Sequence, residues 1–311
     1  MNMAEGIYLR DDPYTVPYQG IYVICDEKNE KAEIIERSNC YSGACWSLYH
    51  YAKSPAVTSA YSYGEYMRYS VNIGKSPLSL KSSVAAAGIE SVLCLPDNEV
   101  EITYMGIGGG GIGATKCRAL AKGVKRYEIT EAGGGKTGVG KIIVPRRERV
   151  LIAIDDTDSC EEGATWTLTH NIAKTVGNDD AVYLSQALVQ LFPVPEKTQN
   201  CMSAVLEFGC VSREAKEKLV NDVKDLLLEY SVSENTGMLV YSGFAATGEL
   251  KEYSHKGRTE RILRETALDV AKKNRVDVVL DGNGIIGALA AFSWFSKPSD
   301  SVKPEFDTNT V

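Results

Sequence analysis

The chain has 311 residues, 44% of them apolar and 24% charged, with a formal net charge of -7. That length and composition suffice for one large or two ordinary hydrophobic cores. The acidic balance argues against a surface that grips nucleic acid over its whole extent, because neutralising phosphates needs clustered Lys and Arg. The opening residues MNMAEGIYLRDDPY lack a basic stretch leading into an apolar one, and the longest apolar run, residues 285–295, is about half of the roughly 20 residues a membrane span needs. A cytoplasmic protein without a membrane partner is expected. Eight cysteines without a C-x-x-C pair indicate neither a disulfide framework nor a zinc ribbon.

In chain order, GIYVICD and KAEIIER around the polar turn EKNE read as a hairpin. Seven tyrosines follow between residues 41 and 69, suited either to stacking on a base or flat cofactor or to lining a half-buried face. Cys40, Cys45 and His50 lie in the same stretch, three soft ligands without an obvious fourth. Residues 80–88 read as a helix, VLCL and EVEITYMGI as strands. The second strand runs into GGGGIGATKCRALAKG, where Gly108, Gly110 and Gly113 fit G-x-G-x-x-G, with Glu128 and Glu131 placed as ribose-binding acids. We read this as a phosphate-binding loop, with a dinucleotide site as the secondary reading.

GGGKTGVGKI comes one residue short of a P-loop. Ile142 stands where a metal-binding hydroxyl is required, and IIVPRRERVLIAI predicts extended chain where a helix should start. Residues 116–149 nevertheless hold ten basic side chains against three acids, so Lys136 and Lys141 are candidates to touch a polyanion. From residue 149 strands and helices alternate. The expected elements are strand VLIAI, helix Thr165–Val176, a helical or mixed stretch over 181–192, strand CMSAVLEFG, and a helix capped by Ser212 with Leu219, Val223, Leu226, Leu227 and Tyr230 on one face. Strand GMLVYSGF follows, then a helix over 259–273 with Ile262, Leu263, Thr266 and Val270 inward, buried strand VDVVL and helix IIGALAAF. The expected fold class is α/β (α+β), layered mixed sheets with helices, in two tightly associated halves, 1–148 and 149–297. A polar tail, 298–311, is expected to be disordered.

Three carboxylates within four positions, Asp155, Asp156 and Asp158, end the apolar strand in VLIAIDDTDS. Massed like charges are costly without a cation, and hard oxygen ligands suit magnesium completed by a ligand's phosphates. Alternation along an extended chain puts Asp156 and Asp158 on one face and Asp155 on the other. The competing reading is an Asp-rich turn that caps the next helix. His255, Lys256, Arg258 and Arg261 in HKGRTERIL read as cations at a helix start, with Arg258 a candidate phosphate ligand.

IDDTDS followed by CEEGATWTLTHNIA resembles the ATP-using domain of the archaeal agmatinylcytidine synthetases that modify an isoleucine tRNA, and DGNGIIGALAA resembles that family's second signature. Over the whole chain, including GIGGGGIGATKCRA, the sequence looks most like methanogenesis marker protein 11. The synthetase resemblance implies that Asp155, Asp156 and Asp158 bind metal and triphosphate, with Asp156 and Asp158 catalytic. It also implies that a threonine just beyond takes part in phosphoryl chemistry, leaving Thr165 and Thr167 as candidates. No counterpart of the synthetase's zinc ribbon is found in the sequence, and with the acidic net charge this disfavours RNA as a partner. The expectation is an ATP- and Mg2+-dependent phosphoryl- or adenylyl-transferring enzyme acting on an unknown small-molecule or protein acceptor, linked to methanogenesis, with a homo-oligomer left open. The alternatives are a non-catalytic nucleotide-binding assembly factor and a dinucleotide-dependent oxidoreductase.

Overall fold

The hairpin around EKNE forms: β1 (Gly20–Cys25) pairs antiparallel with β2 (Lys31–Arg37). Asn29 closes the turn at φ 55°, a left-handed conformation that Asn tolerates better than most residues. The structure is a computed structural model that describes residues 12–63 and 66–308. The chain divides into two compact units, Met1–Arg147 and Glu148–Val311.

In the first unit the tyrosine-rich stretch becomes helix α1 (Tyr41–Tyr51) and an antiparallel pair, β3 (Val57–Tyr63) with β4 (Tyr66–Asn72). Cys40 caps α1, its sulfur accepting from Gly43 N at 3.3 Å. β4 lies beside β2, giving the sheet order β3–β4–β2–β1. A short β5 (Gly74–Lys75) follows. Residues 80–88 form no helix. Ser83 takes φ 65°, Ala85 N donates to Lys81 O at 2.8 Å, and Ala87 already opens β6 (Ala87–Leu95), which pairs with β7 (Glu99–Ile107).

The glycine-rich run becomes two short helices, α2 (Gly109–Ala114) and α3 (Lys116–Ala119), before β8 (Arg126–Ile129). A Cβ at Gly106 or Gly140 would overlap the carbonyl of Gly110 or Ala114, so glycine at those two places lets α2 seat on the strands. The 19-residue strand β9 (Thr137–Asp155) follows, and the unit boundary falls within it. Residues 140–143 of β9 lie between β7 and β8, antiparallel to both. That arrangement corrects the dinucleotide reading, which requires adjacent parallel strands joined through the glycine turn.

In the second unit the apolar end of β9 is the centre of a five-stranded sheet, β10–β11–β9–β12–β13, made of β10 (Ala181–Gln190), β11 (Met202–Cys210), β12 (Gly237–Ser242) and β13 (Asp277–Asp281). Alternation divides its side chains. Val150, Ile152 and Ile154 join the core under α4 (Thr165–Val176) and α5 (Arg213–Tyr230). Leu151 and Ala153 join the core under α6 (Gly248–Thr259), α7 (Arg264–Lys273) and α8 (Ile285–Ala291). Fully burying side chains such as Ile152 contributes about 1.5–3 kcal/mol each. Ser212 caps α5 as expected, accepting from Ala215 N.

Four expectations are corrected here. Residues 181–190 form strand β10 rather than a helix or mixed element. The single helix over 259–273 is two helices broken at residues 260–263, with Ala267 and Ala271 buried while Leu263 is exposed. Among the described residues β13 pairs with β12 alone and is half exposed, because a sheet edge meets fewer neighbours. The expected disordered tail turns instead through α9 (Pro298–Ser301), where the Ser301 hydroxyl donates to Leu188 O at 2.5 Å, while its last residues, 309–311, lie outside the described residues. Among the described residues no helix is long and apolar enough to cross a membrane.

Candidate active site

Asp155 is the last residue of β9, and Asp156 leaves the strand at φ 54°. That left-handed step ends the alternation expected of an extended chain. As a result Asp155, Asp156 and Asp158 all line one cavity of about 440 Å³ instead of facing opposite ways.

Backbone contacts hold the acidic loop. Thr236 Oγ1 donates to Asp156 O at 3.1 Å, and Val232 N to Thr157 O at 3.0 Å. The backbone N and the hydroxyl of Thr157 both reach Thr165 Oγ1, at 3.2 and 3.0 Å, tying the loop to the first residue of α4. The second signature packs directly on the first: a Cβ at Gly287 would overlap the Asp155 carboxylate, and one at Gly284 would lie 2.6 Å from the Asp155 carbonyl oxygen.

The electrostatics are unbalanced. Asp155 is buried, and its Oδ1 accepts from Asp156 N at 3.0 Å. Burial, then the charges of Asp156 and Asp158, push its carboxyl well above the usual carboxylate range. Burial, then the charge of Asp158, push Asp156 up to about 6. Asp158 accepts from Thr198 Oγ1 at 2.8 Å. None of the three has an ion-pair partner among the described residues. The remaining cavity wall holds Lys197, Arg261 paired with Glu196 at 2.5 Å, and Arg264 paired with Asp281 at 2.6 Å, beside apolar Leu191, Ile262 and Ile286. Among the described residues no three carboxylates, histidines or thiols are already arranged as a metal-ligand cluster, so a cation here would draw ligands from whatever else binds.

The other candidates lie elsewhere. Thr165 is buried with its hydroxyl on Thr157, Thr167 Oγ1 donates to Ala164 O at 3.0 Å, and neither lines the cavity. Arg258 lies at the C-terminal end of α6 rather than at a helix start, so no free N–H groups accompany it. Its buried guanidinium donates to Gln190 O at 3.2 Å and Asp300 O at 3.1 Å, pairs with Glu305 at 2.9 Å and lies 3.9 Å over Trp294. It anchors the C-terminal segment. In the first unit Lys136 pairs with Glu131, and Lys141 lies 3.6 Å from Glu101 and 3.9 Å from Glu128. Gly108 turns the chain at φ 60°, while Gly110 and Gly113 line a separate cavity. His50 Nδ1 accepts from Ala86 N at 3.2 Å. Sequence reasoning missed Lys197 and Thr198, because PVPEKTQN carries only a loop signal and its contact with Asp158 spans 40 residues.

Residues 151–280 match the family described as the TiaS TCKD domain. The uncharacterized protein MJ0921 of Methanocaldococcus jannaschii is 40% identical over 283 residues, 89% of this chain and 93% of its own length. Among solved structures, a complex of TiaS with its isoleucine tRNA and ATP is 26% identical with a TM-score of 0.41, and a complex of TiaS with the same tRNA, AMPCPP and agmatine is 25% identical with a TM-score of 0.39. Each match covers 47% of this chain, which spans only 36% of the TiaS chain. These matches correct the expectation that disfavours RNA: TiaS, whose domain matches residues 151–280, is solved with tRNA and ATP. The net charge of a whole chain is a poor guide to partners, because the field at a site depends on the charges around it.

Proposed function

The chain belongs to the family of the uncharacterized protein MJ0921 of Methanocaldococcus jannaschii, and from that premise we propose that its second unit is an ATP- and Mg2+-dependent phosphoryl- or adenylyl-transfer domain with RNA as the acceptor class. The observation that carries the reading is the cavity in which Asp155, Asp156 and Asp158 converge without a cationic partner among the described residues, while the second signature packs on Asp155 through Gly287. Burying like charges together is unfavourable unless a ligand compensates them. Hard carboxylate oxygens are the donor set that magnesium takes, with phosphates completing the coordination. The match of residues 151–280 to the TiaS TCKD domain supports nucleotide and RNA as the ligand classes.

In this reading Asp156 and Asp158 hold the cation, and Asp155, tucked against α8, fixes the loop and adds negative potential. The bound cation supplies charge neutralisation on the phosphate oxygens. Lys197, whose side chain has no ion-pair partner among the described residues, and Arg261 and Arg264 at the rim stabilise the negative charge that builds up during transfer. Thr165 positions the loop through Thr157. The resemblance to methanogenesis marker protein 11 adds methane formation as the physiological setting.

The test is thermal stability with millimolar ATP and Mg2+, followed by product analysis with and without tRNA. A ligand at 100 times its Kd stabilises by about 2.7 kcal/mol, and that shift should vanish in Asp156→Asn. RNA-stimulated release of ADP marks phosphoryl transfer, and release of pyrophosphate, with AMP retained on the acceptor, marks adenylyl transfer. No stabilisation by ATP with Mg2+ would remove the basis of the proposal. Stabilisation without RNA-stimulated turnover would favour a nucleotide-binding assembly factor.

A further inference from the structure

The first unit holds a second cavity, of about 590 Å³, within the roughly 300–1,000 Å³ usual for small-molecule sites. It lies outside the residues that match the TiaS TCKD domain and plays no part in the activity proposed above.

Arg118 lines it, fully buried. Its Nε and Nη2 donate to the two carboxylate oxygens of Glu36, both at 2.8 Å, and its Nη1 donates to Tyr51 OH at 2.9 Å and Gly113 O at 2.8 Å. The guanidinium carbon lies 4.2 Å from the Tyr51 ring centroid and 4.6 Å from that of Tyr18. Four of its five N–H donors are engaged and its charge is met by the Glu36 carboxylate, so the occupant is uncharged where it meets this wall.

The remaining wall is flat and aromatic. Trp46, half exposed, rests on His50 with ring centroids 4.1 Å apart, and its ring edge lies where a Cβ on Gly110 would come within 2.7 Å of Cη2. Glycine at 110 therefore lets the indole lie against the turn. Ile107 and Ile112 add apolar surface. Beside the indole, Tyr18 OH and Ser47 Oγ lie 3.1 Å apart, hydroxyls that can both donate and accept. Aromatic faces with a small hydroxyl edge and no free charge match a heterocycle rather than an alkyl chain or an anion.

We infer that this cavity binds a flat, uncharged heteroaromatic ring of nucleobase size, stacked on Trp46 with its polar edge toward Tyr18 and Ser47. The ring arrives either as a free nucleoside or as an unpaired base of single-stranded RNA, and the two sources are separable.

The full chain, without ATP or Mg2+, is titrated with adenosine, guanosine, cytidine, uridine and short single-stranded RNA while tryptophan fluorescence is followed. Trp46→Phe assigns the signal among the three tryptophans. Gly109 lines the cavity, has no left-handed φ, and a Cβ placed on it would meet nothing within 4 Å, so Gly109→Met fills the space without strain. At least one nucleoside or RNA should quench Trp46. Gly109→Met should weaken that binding at least tenfold with an unchanged melting temperature, and Asp156→Asn should leave it intact. Should Gly109→Met fail to fold, Trp46→Leu takes its place, with the same tenfold loss expected by calorimetry. Tighter binding of RNA than of every nucleoside identifies the RNA base; binding of a nucleoside alone identifies the free ligand. Absence of quenching by all of them at millimolar concentration overturns the inference, as does an affinity untouched by filling the cavity. Failure here leaves the ATP reading standing, because the two rest on different residues and different ligands.

Discussion

The two units treat buried charge in opposite ways. In the first, Arg118 and Glu36 are both fully buried and satisfy each other, with tyrosine rings around the cation. In the second, Asp155, Asp156 and Asp158 share one cavity and no cation answers them among the described residues. A buried pair with complete hydrogen bonds is a structural element, whereas like charges gathered without compensation call for a ligand. The contrast separates scaffold from candidate active site within one chain.

The largest effect that can break this contrast is expected in the first unit. Glu36→Gln leaves the Arg118 guanidinium buried and unpaired, which should cost about 3–5 kcal/mol by denaturant unfolding. A loss within about 0.5 kcal/mol, the size of an ordinary surface change, would mean the pair is not structural. In the second unit, Gly287→Ala forces a methyl group into the space of the Asp155 carboxylate. Overpacking of this kind should cost about 1–3 kcal/mol and abolish stabilisation by ATP with Mg2+. Retained stabilisation by nucleotide would show that the Gly287 contact does not position the acids.

Asp156→Asn should act in the opposite direction on stability. Removing one of the massed charges should stabilise the ligand-free protein by on the order of 1 kcal/mol while removing its response to the cation and nucleotide. If the ligand-free protein is destabilised instead, the carboxylate is making a favourable contact and the charge argument fails.

The smallest effect is its pH dependence. Burial and Asp158 raise Asp156 to about 6 from an ordinary 3.8, so the folded state holds a proton there that the unfolded state has lost between those values. The ligand-free wild type should therefore gain stability as pH falls from 7 toward 5, relative to Asp156→Asn, and lose it as pH rises through 6. A difference between the two melting curves that stays constant over that range would show that Asp156 does not titrate there.

How much is legible follows from how local each signal is. The hairpin at EKNE, the Ser212 cap with Leu219, Val223 and Leu227 of α5, and the acidic end of VLIAID are written in residues a few positions apart. β10 reads as helical or mixed because AVYLSQALVQ is apolar enough for either element, and pairing with β11 decides the matter. Arg258 looks like a ligand because its position at the end of α6 and its contacts with Gln190, Asp300 and Glu305 are long-range facts. The contact of Thr198 with Asp158 and the pairing of Glu36 with Arg118, 82 residues apart, leave no trace in local pattern.

The sequence by itself determined that three carboxylates end an apolar strand and that a glycine-bearing DGNGIIG turn follows later, since alternation, charge and glycine are properties of short segments. Only the tertiary structure decided that the three acids face one cavity, because that depends on a left-handed step at Asp156 and on residues 231–236 holding the loop. It likewise decided that Arg258 serves the scaffold while Arg261 reaches the acidic cavity, and that the first unit's glycine turn borders a cavity lined by Trp46. Contacts between residues far apart in sequence depend on how strands and helices pack, and short-range periodicity carries no record of that packing.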